Sequence, residues 1–290
     1  MTHEAIADLQ QPTQTLHWRV TQADLVRYAG AARDFNPIHY DATAAEAFGF
    51  RRPVAHGMLT LGRLLAHLVD IHGADAVRSS TTRFTGPAYI DSQLTFTTMP
   101  TGSDQLTATV TDQDGLRVLS TTVELSGPAT ITDPPQGQLV ADRWLRVEQG
   151  PATRFAETLD ARNGIFLRTD AAREAGYESI PVLPTYGFVL PGWGFFPELP
   201  GNQAASTPDA VRDCQAWAGT SGPVVHAGQR FVHSRPLLVG DTVRARSYVV
   251  ARATKTSRGR TLRFTDVHTT LTDPADGHVM TSEMTLVVAD

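Results

Sequence analysis

Apolar residues set the first elements. Leu61, Leu64, Leu65 and Leu68 recur at helical spacing between His56 and Ile71, which predicts a long, deeply packed helix. Upstream, Thr21-Gln-Ala-Asp24 reads as a capped helix start running to about Ala32. A loop with Asn36-Pro37 follows, then a short helix around Ala42–Phe48 stopped by Gly49. From Ala76 the period changes to two. Ser79–Thr85, Gln93–Thr98, Gln105–Asp112 and Leu116–Ser126 are rich in Thr, Val and Phe and predict strands, with Asp114-Gly115 as a hairpin turn. The same signals return in Gln229–His233, Thr242–Ala253, Thr261–Asp273 and His278–Val288, with Asp276-Gly277 as the turn.

The recurrence is an internal repeat. The segment Tyr28–His39 lies over Phe155–Phe166 without a gap, and Ala44, Ala45, Gly49 and Phe50 continue onto Ala171, Ala172, Gly176 and Tyr177. The offset stays at 127 residues for more than twenty positions, so a duplicated domain is expected. Residues 1–127 form the first copy, the Pro- and Gly-rich stretch 128–141 a linker, and residues 142–290 the second copy. One long helix followed by antiparallel strands, twice over, is an α+β arrangement with each helix wrapped by a sheet.

Composition narrows the functional classes. No apolar run reaches the ~18–20 residues of a membrane span, and residues 1–12 lack the apolar core of a secretory signal, so a cytoplasmic location is expected. One cysteine, Cys214, rules out an internal disulfide and a Cys-based metal cluster. A net charge of −5 without a basic block gives no nucleic-acid footprint. Lys255 is the only lysine among 25 basic residues. Genome composition explains that bias, and arginines that grip phosphates explain it too.

The stretch Asp34-Phe-Asn-Pro-Ile-His39 carries the chemistry. It places a carboxylate and an imidazole on one loop braced by Asn36 and Pro37, an acid/base pair. His56-Gly57-Met58 opens the long helix, where a glycine lets a ligand oxygen approach N–H groups at the positive end of the helix dipole. On spacing alone, Asp34 could instead tighten a turn and His39 be an ordinary buried histidine. The second copy decides between them. It keeps Asn163, Ile165 and Gly176 but has Ala161 in place of Asp34 and Phe166 in place of His39. Losing both polar groups while keeping the scaffold fits a site that works in one copy and is dismantled in the other.

Tyr28 to Ala45, together with Pro53-Val-Ala-His-Gly-Met58, resembles the signature of the MaoC-like, R-specific enoyl-thioester hydratases. The second copy resembles the non-catalytic partner of two-subunit (3R)-hydroxyacyl-carrier-protein dehydratases through Ala171–Tyr177, Pro184–Phe188, His226–Phe231, Arg235-Pro236 and Gly240-Asp241. The resemblance implies a double hotdog fold and a hydro-lyase of fatty acid or polyketide metabolism with one active site. Its substrate would be a thioester on CoA or acyl carrier protein, with no further cofactor and no metal. Asp34 and His39 would hold the water, one of them shuttling the proton to C2. The Gly57 amide would meet the enolate oxygen, and Asn36 would orient the loop. Fused relatives usually put the degenerate domain first, and here the catalytic-looking one leads. An intrachain pseudo-dimer follows, with further homodimerisation left open.

In the second copy, Pro191-Gly-Trp-Gly-Phe-Phe-Pro197 should interrupt the equivalent helix within two turns. Trp193, Phe195 and Phe196 then pack on the core or line an apolar tunnel for a long or bulky acyl chain. Arg83, Arg230 and Arg235 are candidates for the phosphates of CoA or phosphopantetheine, against a solvated or structural role. The rival functions are a non-catalytic acyl-thioester or carrier-protein binding module and a hotdog thioesterase. The first needs both copies dismantled, and the second a helix carboxylate that is missing between His56 and Val69, with Asp70 only near the end. His67 and His72 are wrongly spaced for a metallohydrolase, Gly219–Gly222 is one residue short of a nucleophile elbow, and Cys214 has no nucleophile context.

Overall fold

The computed structural model describes residues 13–127, 136–199, 201–202, 210–219, 224–257 and 259–289. Segment 1–12, the linker prolines Pro128, Pro134 and Pro135, and Ser221-Gly222 lie outside them. The first copy contains β1 (Gln14–Arg19), α1 (Gln22–Ala32), a 3₁₀ turn (Pro37–His39), α2 (Ala42–Ala47), α3 (Gly57–His72), β2 (Ser79–Phe84), β3 (Gln93–Pro100), β4 (Gln105–Asp112) and β5 (Arg117–Glu124). The second contains β6 (Gln138–Arg146), α4 (Gln149–Thr158), a 3₁₀ turn (Gly164–Phe166), α5 (Thr169–Glu174), α6 (Tyr186–Trp193), α7 (Ala210–Ala218), β7 (Val224–His233), β8 (Thr242–Ser257), β9 (Arg260–Thr272) and β10 (His278–Ala289).

All ten strands join one antiparallel sheet in the order β1-β3-β4-β5-β2-β7-β10-β9-β8-β6. The order inside one half reappears in the other, and the halves meet where β2 pairs β7, Ser79 opposite Val232 and Arg83 opposite Gly228. This is a double hotdog, an intrachain pseudo-dimer. The 127-residue offset holds in backbone detail. Arg33 and Asp160 both adopt left-handed conformations, φ 55° and 58°, at the ends of equivalent helices. Asn36 and Asn163 both accept from the N–H two residues ahead. Tyr28 and Phe155, equivalent residues, pack ring to ring at 5.9 Å across the pseudo-dyad.

Local chemistry explains the boundaries. Thr21 and Asp24 form a reciprocal capping box at the start of α1. Asp112 accepts from the N–H groups of Asp114 and Leu116, closing a hairpin in which Gly115 has φ 78°. In α3 one face presents Leu61, Leu64, Leu65 and Leu68 to a core that runs through both halves. Strands β1 and β6 stand outside the expected set. Leu16, Trp18 and Val20 alternate in and around β1, but its six residues carry little apolar material until β3 supplies a partner. The expected linker end at 141 falls inside β6, which starts at Gln138 and is held to β8 by backbone pairing. Among the described residues no helix is long and apolar enough to cross a membrane. Cys214 is buried on α7, its thiol 3.4 Å from Thr265 Oγ1.

Candidate active site

Asp34 follows the left-handed Arg33, so its side chain leaves the end of α1 and stays half exposed. Its Oδ1 accepts from the Asn36 N–H at 3.2 Å, and Asn36 Oδ1 accepts from Ile38 N–H at 3.3 Å. These bonds and Pro37 turn the chain tightly enough to bring His39 back beneath Asp34. The His39 Nδ1 donates to the Val54 carbonyl at 2.7 Å. That bond puts the ring proton on Nδ1 and leaves the Nε2 lone pair 3.9 Å from Asp34 Oδ2.

A third group completes the constellation. The His56 ring stacks on His39 with centroids 3.5 Å apart, and the Tyr28 ring flanks it at 4.9 Å. His56 Nε2 lies 3.1 Å from the Asp34 backbone carbonyl, so it donates there, and 3.9 Å from Asp34 Oδ2. Burial pushes the His56 pKa down to about 4, assisted by the neighbouring His39, against the attraction of Asp34. Burial also lowers His39, with Asp34 and the Val54 carbonyl pulling the other way. Two stacked neutral imidazoles beside one carboxylate are the electrostatic result.

The donor atoms of Asp34, His39 and His56 lie within 4.8 Å of one another. With the His56 Nε2 proton directed to the Asp34 carbonyl, the carboxylate and His39 Nε2 face each other with lone pairs, and the His56 lone pair is on the buried Nδ1, which has no partner among the described residues.

Gly57 is the first residue of α3, beside these side chains. A Cβ there would sit 3.1 Å from two ring carbons of Phe84, so glycine keeps this helix N-terminus open. The first N–H groups of a helix lack intrahelical acceptors, which makes them available to an anionic oxygen. The second copy builds the same loop without the chemistry. Ala161 and Phe166 are buried in the core, and Asp70, in the last turn of α3, accepts from the N–H groups of Arg162 and Asn163 at 3.0 and 3.1 Å. Asp70 is thereby spent on the scaffold, and the carboxylate a thioesterase needs is not at the site.

The site opens into a cavity of about 1170 Å³ lined by both halves. Pro191 is inside α6, which ends after eight residues where α3 has sixteen. The concave face of β8–β10 that a longer helix would cover is left as an apolar wall that includes Val249, Phe264 and Leu286. The tunnel-lining assignment of Trp193, Phe195 and Phe196 is corrected: none of the three lines this cavity, whose α6 wall is Gly187, Phe188, Pro191 and Gly192. After the Pro191 break the chain turns back toward α1 and β6. Trp193 Nε1 donates to the Ala31 carbonyl at 2.7 Å, Phe195 packs beneath Arg143 and bridges to Leu145, and the Phe196 carbonyl accepts from Asn202.

The arginine assignments change as well. Arg230 pairs with Glu283 on the neighbouring strand, and Arg235 with Asp241 at 2.6 Å. Arg83 is exposed on β2, and none of the three lines the cavity. His56 and His226 do line it, and reading along the chain gave neither side chain a role at the site. His56 is next to Gly57 in sequence, but its role depends on a stack against a ring seventeen residues away.

Residues 6–121 match the MaoC like domain family, and residues 137–282 match the FAS1-like dehydratase domain region. A 3-hydroxyacyl-thioester dehydratase of Mycobacterium tuberculosis is 38% identical over 105 residues, covering 32% of this chain and 37% of that protein. The chain thus spans just over a third of that relative's length. An (R)-specific enoyl-CoA hydratase of Rhodospirillum rubrum is 29% identical over 41% of this chain and 83% of its own. A double-hotdog protein of Mycobacterium tuberculosis superposes with a TM-score of 0.62 at 11% identity, covering 97% of each chain.

Proposed function

The chain belongs to the MaoC-like and FAS1-like dehydratase families, and on that premise we propose that it is a (3R)-hydroxyacyl-thioester dehydratase, equally an R-specific enoyl-thioester hydratase, with one active site per chain. The observation that carries this reading is the Asp34–His39 pair, 3.9 Å apart at the wall of the shared cavity and replaced by Ala161 and Phe166 in the second copy. A gap of 3.9 Å is too long for a direct hydrogen bond and short enough for one water oxygen to bond both atoms.

The Asp34 carboxylate and the His39 Nε2 lone pair are both acceptors, so together they take both hydrogens of that water. Its oxygen lone pair is then free to attack C3 of a trans-2-enoyl thioester. As the C3–O bond forms, one member of the pair takes a water proton, and a proton is delivered to C2 from the same face. Hydroxyl on C3 and hydrogen on C2 account for the whole water molecule, and addition is syn because acid and base share one loop. In the reverse direction the same groups remove the C2 proton and release the 3-hydroxyl as water. Negative charge develops on the thioester oxygen in either direction, and the Gly57 N–H is the donor for it, a contribution of ~3 kcal/mol for one such group. The reaction is redox-neutral and consumes only water and the thioester.

The wide chamber beside α6 takes the acyl chain, carried on CoA or on the phosphopantetheine of an acyl carrier protein. Hydration of enoyl-CoA substrates of graded length, followed by loss of enoyl absorbance, tests the reading. Asp34→Asn and His39→Ala should each lower kcat by ~10²-fold or more while leaving the melting temperature within a few degrees. A fully active Asp34→Asn enzyme overturns the assignment.

A further inference from the structure

His226 comes from the half that has lost its catalytic pair, yet it lines the same cavity as Asp34, His39 and Gly57. The pairing of β10 with β7 slips there. Thr285 faces Gly228 and Leu286 faces His226, so Ala227 is an extra residue, a bulge of the kind that re-aims side chains next to sites. The imidazole sits between two aromatic rings. Phe84, the residue that packs over Gly57, is 5.0 Å away, and Phe188 of α6 stacks at 5.7 Å. His226 therefore stands where the reacting end of the cavity passes into the apolar chamber of the second half.

The side chain is half-buried with its Nε2 closed off from solvent, and desolvation drives its pKa down to about 4, so it is neutral at pH 7. That nitrogen has no protein partner among the described residues. An unpartnered ring nitrogen is thus built into a mostly apolar wall. A plain hydrocarbon chain lying against it excludes water and leaves it unmatched.

We propose that His226 is a specificity-determining residue for an acyl chain that bears a hydroxyl group, which hydrogen-bonds His226 Nε2. The proposal rests on the acyl-thioester reading above. A hydroxyl can donate to that nitrogen or accept from it, so it satisfies either tautomer, and a methylene leaves the nitrogen unmatched. Sites that hydrogen-bond a substrate hydroxyl discriminate strongly against analogues that lack it.

The test uses trans-2-enoyl-CoA thioesters of one chain length that carry a hydroxyl or a methylene at successive positions beyond the double bond. At one position the wild-type kcat/KM should favour hydroxyl over methylene by ~10-fold or more. The ratio should fall to about 1 in His226→Phe and recover in part in His226→Gln, which retains an acceptor. Titration calorimetry with the saturated hydroxyacyl- and acyl-CoA pair reads the same preference without turnover, so a poorly folded variant or an inactive enzyme still leaves a decisive measurement. Absence of hydroxyl preference at every position overturns the proposal, as does a preference that survives in His226→Phe. A loss in His226→Phe that is equal for every acyl chain assigns the bond to an amide N–H of the pantetheine arm and overturns it too. Wild type that hydrates no enoyl-CoA sinks the parent reading. Hydration of plain chains without hydroxyl preference sinks only this one.

Discussion

Replacing Trp193 by Phe separates a tunnel wall from a latch. The indole N–H donates to the Ala31 carbonyl at 2.7 Å, and the Arg33 guanidinium lies 5.3 Å over the ring. Arg33 in turn donates to the Gly192 carbonyl at 2.6 Å. These contacts tie the end of α6 to the end of α1, three residues before Asp34. Phenylalanine keeps a ring but loses the N–H. The lost hydrogen bond removes ~1 kcal/mol and the weaker cation–π contact ~0.5 kcal/mol, so Trp193→Phe should destabilise by ~1–2 kcal/mol in urea titration. Loosening the α1 terminus shifts Asp34 relative to His39, and displacements near 1 Å lower rates by up to ~10²-fold. We expect kcat to fall ~10-fold for every enoyl-CoA in a length series, with the ratios of kcat/KM between lengths unchanged. A changed length preference at unaltered stability would return Trp193 to the acyl tunnel and refute the latch.

Two further outcomes follow from the same structure. Val249 lines the chamber, so Val249→Phe should lower kcat/KM for long enoyl-CoAs by at least ~10-fold and leave the shortest one nearly untouched; a uniform effect across lengths would place the acyl chain elsewhere. Burial holds His56, His226 and His233 at about 4, against ~6.5 in an unfolded chain. Above pH ~6.5 both states are neutral and their contribution is complete. As pH falls from 6.5 toward 4 the unfolded chain takes up protons that the folded one refuses, and stability drops by ~1.4 kcal/mol per unit for each histidine. Urea midpoints measured across that range should fall steeply, and less steeply in His233→Phe; a flat profile contradicts the buried neutral assignment.

Sequence alone determined the features that depend on neighbours along the chain. The capping box at Thr21 and Asp24, the turn at Asn36-Pro37 and the leucine face of α3 are short-range chemistry, and each forms where its residues demand. Duplication added a second kind of legibility, because the offset of 127 residues is also the offset of the backbone conformations at Arg33 and Asp160. The contrast of Asp34 and His39 with Ala161 and Phe166 marked the two copies as unequal before any coordinate was known.

Tertiary structure decided what depends on partners far along the chain. Along the chain, Arg230 and Arg235 fitted a phosphate-binding or a structural role equally, until strand pairing and a tight loop delivered Glu283 and Asp241 to them. Aromatic residues after Pro191 read either as core packing or as a tunnel wall, and the direction in which the broken helix turns decided between them by sending them to α1 and β6. His226, 192 residues after Asp34, shares its cavity only because β2 pairs β7 and a one-residue bulge interrupts the β7–β10 ladder. Strand pairing is a choice among many nearly equivalent edges, settled by the packing of both copies around one core. No local pattern in the chain carries that choice.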